Sequence, residues 1–117
     1  MSNFKNLRVW LRAKELAKTI YLLSNEGGFC KDFGFRDQVR RSVVSIASNI
    51  SEGDESGTNK MAVKYFYVAK GSAAELYTQI SIAEDIGYID SKVAKELIDN
   101  CEAISAMLHK LIKSRCE

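Results

Sequence analysis

The stretch Gln38-Val-Arg-Arg-Ser-Val-Val-Ser-Ile-Ala-Ser-Asn-Ile-Ser-Glu-Gly53 decides how the rest of the chain is read. Val39, Val43, Ile46 and Ile50 recur at spacings of four, three and four, with Phe35 one turn earlier. That period places them on one face of an α-helix. Opposite Val43, Arg41, Ser45, Ser48 and Glu52 line up in the same rhythm. Small hydroxyls flanked by a cation and an anion suit either a packed polar seam between helices or an ordinary wet face. Ser42 and Asn49 fall at the edge of the apolar stripe, where such groups hydrogen-bond a neighbouring backbone or cap a helix. Gly53 stands where a left-handed residue would close the helix.

Working outward, glycine-containing breaks divide the chain into four periodic segments. The first runs from about Asn6 to Asn25 and ends at Gly27-Gly28, with Val9, Ala13, Leu16, Ala17, Ile20 and Leu23 on one face. The second, containing the stretch above, runs from about Phe33 to Glu52. The third runs from about Thr58 to Ile86, and its expected inner face is Met61, Tyr65, Val68, Ala69, Ser72, Leu76, Ile80 and Ala83. The fourth runs from about Ser91 to Lys113, with Val93, Leu97, Cys101, Ile104, Leu108 and Leu111 as its stripe. Thr58 and Asp90 are good N-caps. There is no proline, so nothing interrupts long helices. Short connections between long helices predict an all-α, antiparallel up-down four-helix bundle formed by residues 1–117 as one domain.

At 117 residues, 46% hydrophobic and 27% charged, the chain can bury one core without disulfides or metal. Its three cysteines, Cys30, Cys101 and Cys116, include no CxxC pair, which argues against a disulfide framework or zinc cluster. Free thiols suit a reducing cytoplasm. Lys5, Arg8, Arg12, Lys14 and Lys18 interrupt the N-terminal apolar residues, so no signal peptide is expected, and no apolar run is long enough to span a membrane. The single histidine, His109, has no helical neighbours that would make a metal set or a catalytic pair. No nucleotide-binding, zincin or nucleophile-elbow motif occurs. An enzyme is therefore not expected, and no cofactor is implied.

The net charge of +2 hides an asymmetry: residues 1–50 hold nine Lys/Arg against four Asp/Glu, and residues 51–117 hold eight against eleven. Lys5, Arg8 and Arg12 share a helix edge; Arg36 and Arg40 are four apart, with Arg41 adjoining. These six are the candidates for contact with RNA or DNA phosphates, since arginine offers a fork of donors and lysine a point charge. No base-reading motif accompanies them. A solvated charged surface is the competing reading, and so is a protein-interaction scaffold that touches no nucleic acid. Leu11, Leu22 and Tyr67 fall on outer faces, and Gly71 sits in mid-helix, where it costs about 1 kcal/mol relative to alanine. Together they point to a second buried surface, hence a homo-oligomer.

Several pieces of the chain, in order, resemble a known family. They are Phe4-x-x-Leu7-x-Val9-Trp10, Gln38-x-Arg40-Arg41, Ser45-Ile46-x-x-Asn49-Ile50-x-Glu52-Gly53, Ala69-x-Gly71-Ser72-x-x-Glu75-Leu76, Gly87-Tyr88 and Met107-Leu108-x-x-Leu111-Ile112. The family is that of small bundles encoded in intervening sequences of bacterial 23S rRNA genes. Ser51, where alanine is usual, is a conservative departure. The resemblance implies four-helix bundles assembled as pentameric rings. It also implies kinship with accessory proteins of diversity-generating retroelements, in which a basic barrel binds nucleic acid and partners a reverse transcriptase. Arg41, Asn49, Glu52, Ser72 and Glu75 carry over as motif positions, either binding a partner or holding helices together.

Overall fold

Four apolar stripes at helical spacing draw four long helices around one core. The computed structural model describes residues 3–116. A 3-10 turn at Phe4–Asn6 leads into α1 (Arg8–Leu23), followed by the short α2 (Gly27–Lys31), α3 (Phe33–Glu55), α4 (Asn59–Asp85) and α5 (Ser91–Cys116). No strand occurs among the described residues. The molecule is a rod of 44 × 20 × 20 Å. α3 packs on α4, α4 on α5, and α1 on α3 and α5, so α1 and α4 occupy opposite corners of the bundle. The contact of α1 with α5 is the slightest of the four.

Local chemistry sets the ends. Asp32 Oδ1 accepts from Phe35 N at the start of α3 (3.3 Å), Thr58 Oγ1 from Met61 N at the start of α4 (3.2 Å), and Asp90 Oδ1 from Val93 N at the start of α5 (2.8 Å). Each satisfies one orphan donor of a first turn. Gly57 (φ 88°) and Gly87 (φ 79°) make the left-handed turns before α4 and after it. One end is clasped by aromatic rings: Phe29, from the unexpected α2, lies 5.5 Å from Phe35 and 5.6 Å from Tyr88 between ring centres. The Tyr88 hydroxyl donates to Asp32 Oδ2 at 2.8 Å, and chiefly for that reason its pKa is raised. At the other end Arg115 pairs with Asp54 at 2.8 Å.

The α1 and α3 stripes stand as expected. On α4 the inner face is rotated: Ala62, Phe66, Ala69, Ala73, Leu76, Ile80 and Ala83 are buried, whereas Met61 and Val68 are exposed. The core takes alanines on this helix because small side chains let α3 and α5 approach closely, and larger apolar residues are left outside. On α5, Ala94 and Ile112 are buried while Val93 and Leu111 are half-buried, a similar small rotation.

Gly53 is not a helix-closing residue. α3 continues to Glu55, and the left-handed glycine comes at Gly57. Gly53 is required for close approach instead: a Cβ there would lie 2.7 Å from the ring of Phe66, a fully buried side chain with no room to retreat. Gly53→Ala should therefore destabilise by about 1–3 kcal/mol through overpacking. Helix propensity alone would give the opposite sign, by about 1 kcal/mol. Denaturant unfolding of the variant reads the sign directly.

Candidate functional site

The motif residues separate into a partly buried polar seam between α3 and α4 and an outer face. The Ser45 and Ser72 hydroxyls meet across α3 and α4 at 2.9 Å. Asn49 Nδ2 donates to the Ser45 carbonyl (2.8 Å) and to Ser45 Oγ (3.0 Å), leaving the Ser45 hydrogen free for Ser72. One layer along, the buried Ser42 hydroxyl is shared between Glu75 Oε1 (2.8 Å) and the Gln38 carbonyl (3.0 Å). Asn49, Ser72 and Glu75 thus join the two helices in one polar line. Of the set opposite Val43, only Ser45 enters the seam; Arg41, Ser48 and Glu52 are exposed.

The six basic candidates do not form one patch. Arg8 and Arg12 line an open groove of about 880 Å³ where α1 and α5 lie apart, with Leu11, Leu16 and Met107 as apolar lining and Glu15 as the one lining carboxylate. Arg12 Nε donates to Asn100 Oδ1 at 3.0 Å. A second space of about 560 Å³ shares Arg8 and Met107 with it and adds Lys110. Lys5 lies in the preceding 3-10 turn, exposed.

Arg36 and Arg40 serve the fold. Arg36 contacts Asp37 through Nε (3.2 Å) and donates to the Cys30 carbonyl through Nη1 (3.3 Å). Arg40 donates to Ser24 Oγ (2.8 Å), Asn25 Oδ1 (2.8 Å) and the Tyr21 carbonyl (3.4 Å), and lies 4.7 Å from the Tyr21 ring centre. It closes the C-terminal end of α1, where carbonyls lack helical partners and a cation is favoured. Arg41 stands apart from both.

Of the oligomer candidates, Leu11 and Leu22 on α1 and Tyr67 on α4 are exposed, Leu22 at 61% and Tyr67 at 59%. Gly71 is also exposed, and a Cβ there would meet nothing within 4 Å. Because α1 and α4 sit at opposite corners, the four residues form two patches, not one.

Asn100 and Lys110 were missed by sequence reasoning. Their only signal is helical phase on α5, which does not say that α1 lies across from them. The Asp54–Arg115 pair had no signal at all. Cys101 is buried in the core, and burial, seconded by the nearby Glu102 charge, pushes its pKa up to about 12. It is therefore a neutral thiol and not a nucleophile. Among the described residues no group of three or more His, Cys, Asp or Glu is placed to hold a metal ion, and no helix is long and apolar enough to cross a membrane.

These features describe an all-helical bundle with a polar seam between α3 and α4, an open groove beside α1 and exposed apolar residues on α1 and α4. The chain belongs to the 23S rRNA-intervening sequence protein family, whose model matches residues 5–110. A solved structure of similar fold is a protein of unknown function from the S23 ribosomal protein family of Bacteroides thetaiotaomicron. It has a TM-score of 0.83 at 23% identity, over 90% of this chain and 95% of that one. No curated protein matches.

Replacing Arg40 with alanine should cost about 1–3 kcal/mol, because charged hydrogen bonds to the end of α1 are lost together. Arg41→Ala should stay within about 0.5 kcal/mol, as expected of a surface change. Unfolding midpoints of the two variants, compared side by side, check the assignment.

Proposed function

We propose that the chain is a non-catalytic, oligomeric bundle that holds the phosphate backbone of RNA or DNA along its α1–α5 edge. The observation that carries this reading is the juxtaposition of Arg8 and Arg12 on one groove with a single lining carboxylate, extended by Lys110. Lys5 adds a further charge just before α1. Asn100 holds Arg12 through Nε, so the Nη pair is the fork that would take a phosphate. Without base-reading motifs the binding is independent of sequence and driven by counterion release.

The assembly we infer is a closed ring in the cytoplasm, of the pentameric kind that the family resemblance implies. Its support is the placement of apolar patches at opposite corners. A two-fold dimer pairs one patch with itself, whereas a head-to-tail contact uses two different patches and forms a ring when its rotation closes. Repetition of the basic edge around such a ring raises affinity through multivalency. A second reading, a scaffold that docks a protein partner such as a reverse transcriptase, is favoured by the exposed Val68 and Ile82 on α4 and Ile86 just after it.

Fluorescence anisotropy with labelled structured RNA and duplex DNA at two salt concentrations separates the readings. The expected result is binding that weakens steeply with salt and falls at least tenfold in Lys5→Glu combined with Arg12→Glu. Arg36→Glu, whose guanidinium is already engaged, should bind as the wild type does. Absence of binding at low salt turns the assignment to the protein scaffold.

A further inference from the structure

Folding turns the charge asymmetry of the sequence into one between the two ends of the rod. The Ser45–Ser72 contact and the Arg12–Asn100 bond mark the middle level of the antiparallel bundle. To one side of that level lie residues 3–14, 46–71 and 103–116, which hold ten Lys/Arg against three Asp/Glu. To the other lie residues 15–45 and 72–102, with seven against eleven. All three carboxylates of the basic end are on α3, and Asp54 is taken by Arg115. At this end α5 and the two helices that flank it, α1 and α4, carry no carboxylate among the described residues.

The cationic surface does not stop at the α1–α5 groove. Lys110, which lines the space beside Arg8, also lines a space of about 420 Å³ between α4 and α5, together with Lys70, His109 and Ser105. Glu102, near the middle level, is the one carboxylate there. Lys110 thus joins the two spaces across the outer side of α5. Past Lys70, α4 presents an aromatic ring. Tyr67 is 59% exposed, and Lys64 and Lys70 stand three residues to either side of it, where helical residues are neighbours. Gly71 follows one turn later. Side chains on a helix lean toward its N-terminus, so a larger residue at 71 would lean over Tyr67. A Cβ at Gly71 would meet nothing within 4 Å, so packing within the protomer does not require the glycine. An uncovered Tyr67 ring does.

We infer that the cationic end takes an unpaired strand of RNA or DNA, whose phosphates run from Arg8 and Arg12 over Lys110 to Lys70, and one of whose bases stacks on Tyr67. The inference rests on the nucleic-acid part of the proposed function and names its substrate class. Two physical constraints select an unpaired strand over a duplex. The route curves around α5 on a rod 20 Å across, whereas duplex DNA resists bending over about 150 base pairs. Duplex bases are already stacked on one another, whereas an unpaired base offers its face to an aromatic ring. Such stacking tolerates any sequence, in keeping with the lack of base-reading motifs. Val68 and Ile82, also exposed on α4, remain for protein contacts.

The test is fluorescence anisotropy of the full chain at low salt with three probes: a short labelled DNA strand, its RNA counterpart, and the duplex of the DNA strand with its complement. Both single strands should bind roughly tenfold tighter than the duplex, or more. Tyr67→Ala should weaken the single strands by about fivefold or more and leave the duplex unchanged, whereas Tyr67→Phe should bind as the wild type does. Lys70→Glu should weaken the single strands more than the duplex. Gly71→Leu raises helix propensity and meets no neighbour, so it folds, and by covering the ring it should weaken the single strands by about fivefold or more. Circular dichroism checks the helicity of each variant. A duplex bound as tightly as the strands, or strands indifferent to both Tyr67→Ala and Gly71→Leu, overturns the inference and leaves the phosphate-binding edge standing. Absence of binding to all three probes overturns both.

Discussion

How closely α3 can approach α4 governs the rest of the bundle. At one end Gly53 leaves room for the buried Phe66 ring, and near the middle two serine hydroxyls touch at 2.9 Å. Residues as small as glycine, serine and alanine at these positions bring the two helix axes together. The cost is a line of polar groups in a partly buried place. The structure meets that cost internally, with Asn49 satisfying Ser45, Ser45 meeting Ser72, and Ser42 shared between Glu75 and a main-chain carbonyl. A half-satisfied line would be worse than an apolar one, so its members depend on one another.

Tight packing of α3, α4 and α5 contrasts with the position of α1. That helix is held by its own apolar stripe, by the Arg40 closure at its end and by the Arg12–Asn100 bond, while its contact with α5 stays slight. The open groove follows from this. The outside of the fold carries a basic edge where α1 parts from α5 and exposed apolar residues on α1 and α4.

Much of the fold was legible in residue spacing. The stripes of α1 and α3, the N-caps Thr58 and Asp90 and the four long helices all follow from period and capping chemistry, whereas the short α2 does not. Periodicity failed on α4 because it weighs size with hydrophobicity: Met61 and Val68 score as core, yet Ala62, Ala69 and Ala73 are what a close helix pair can accommodate. Gly53 and Gly71 look alike in sequence and differ in cause, one required by Phe66 within the protomer and the other by nothing within it. Arg40 looked like a surface cation because its partners Tyr21, Ser24 and Asn25 lie across a turn whose geometry spacing does not describe. Asn100 came into view only with the three-dimensional pairing of α1 and α5.

The central claim is that Ser42, Ser45, Asn49, Ser72 and Glu75 join α3 to α4 as one unit. A double-mutant cycle on Ser45→Ala and Ser72→Ala, read by denaturant unfolding, tests it most directly. Hydroxyls in mutual contact should couple by about 0.5 kcal/mol or more. Costs that add to within about 0.3 kcal/mol would contradict the claim, since independent residues add in that way.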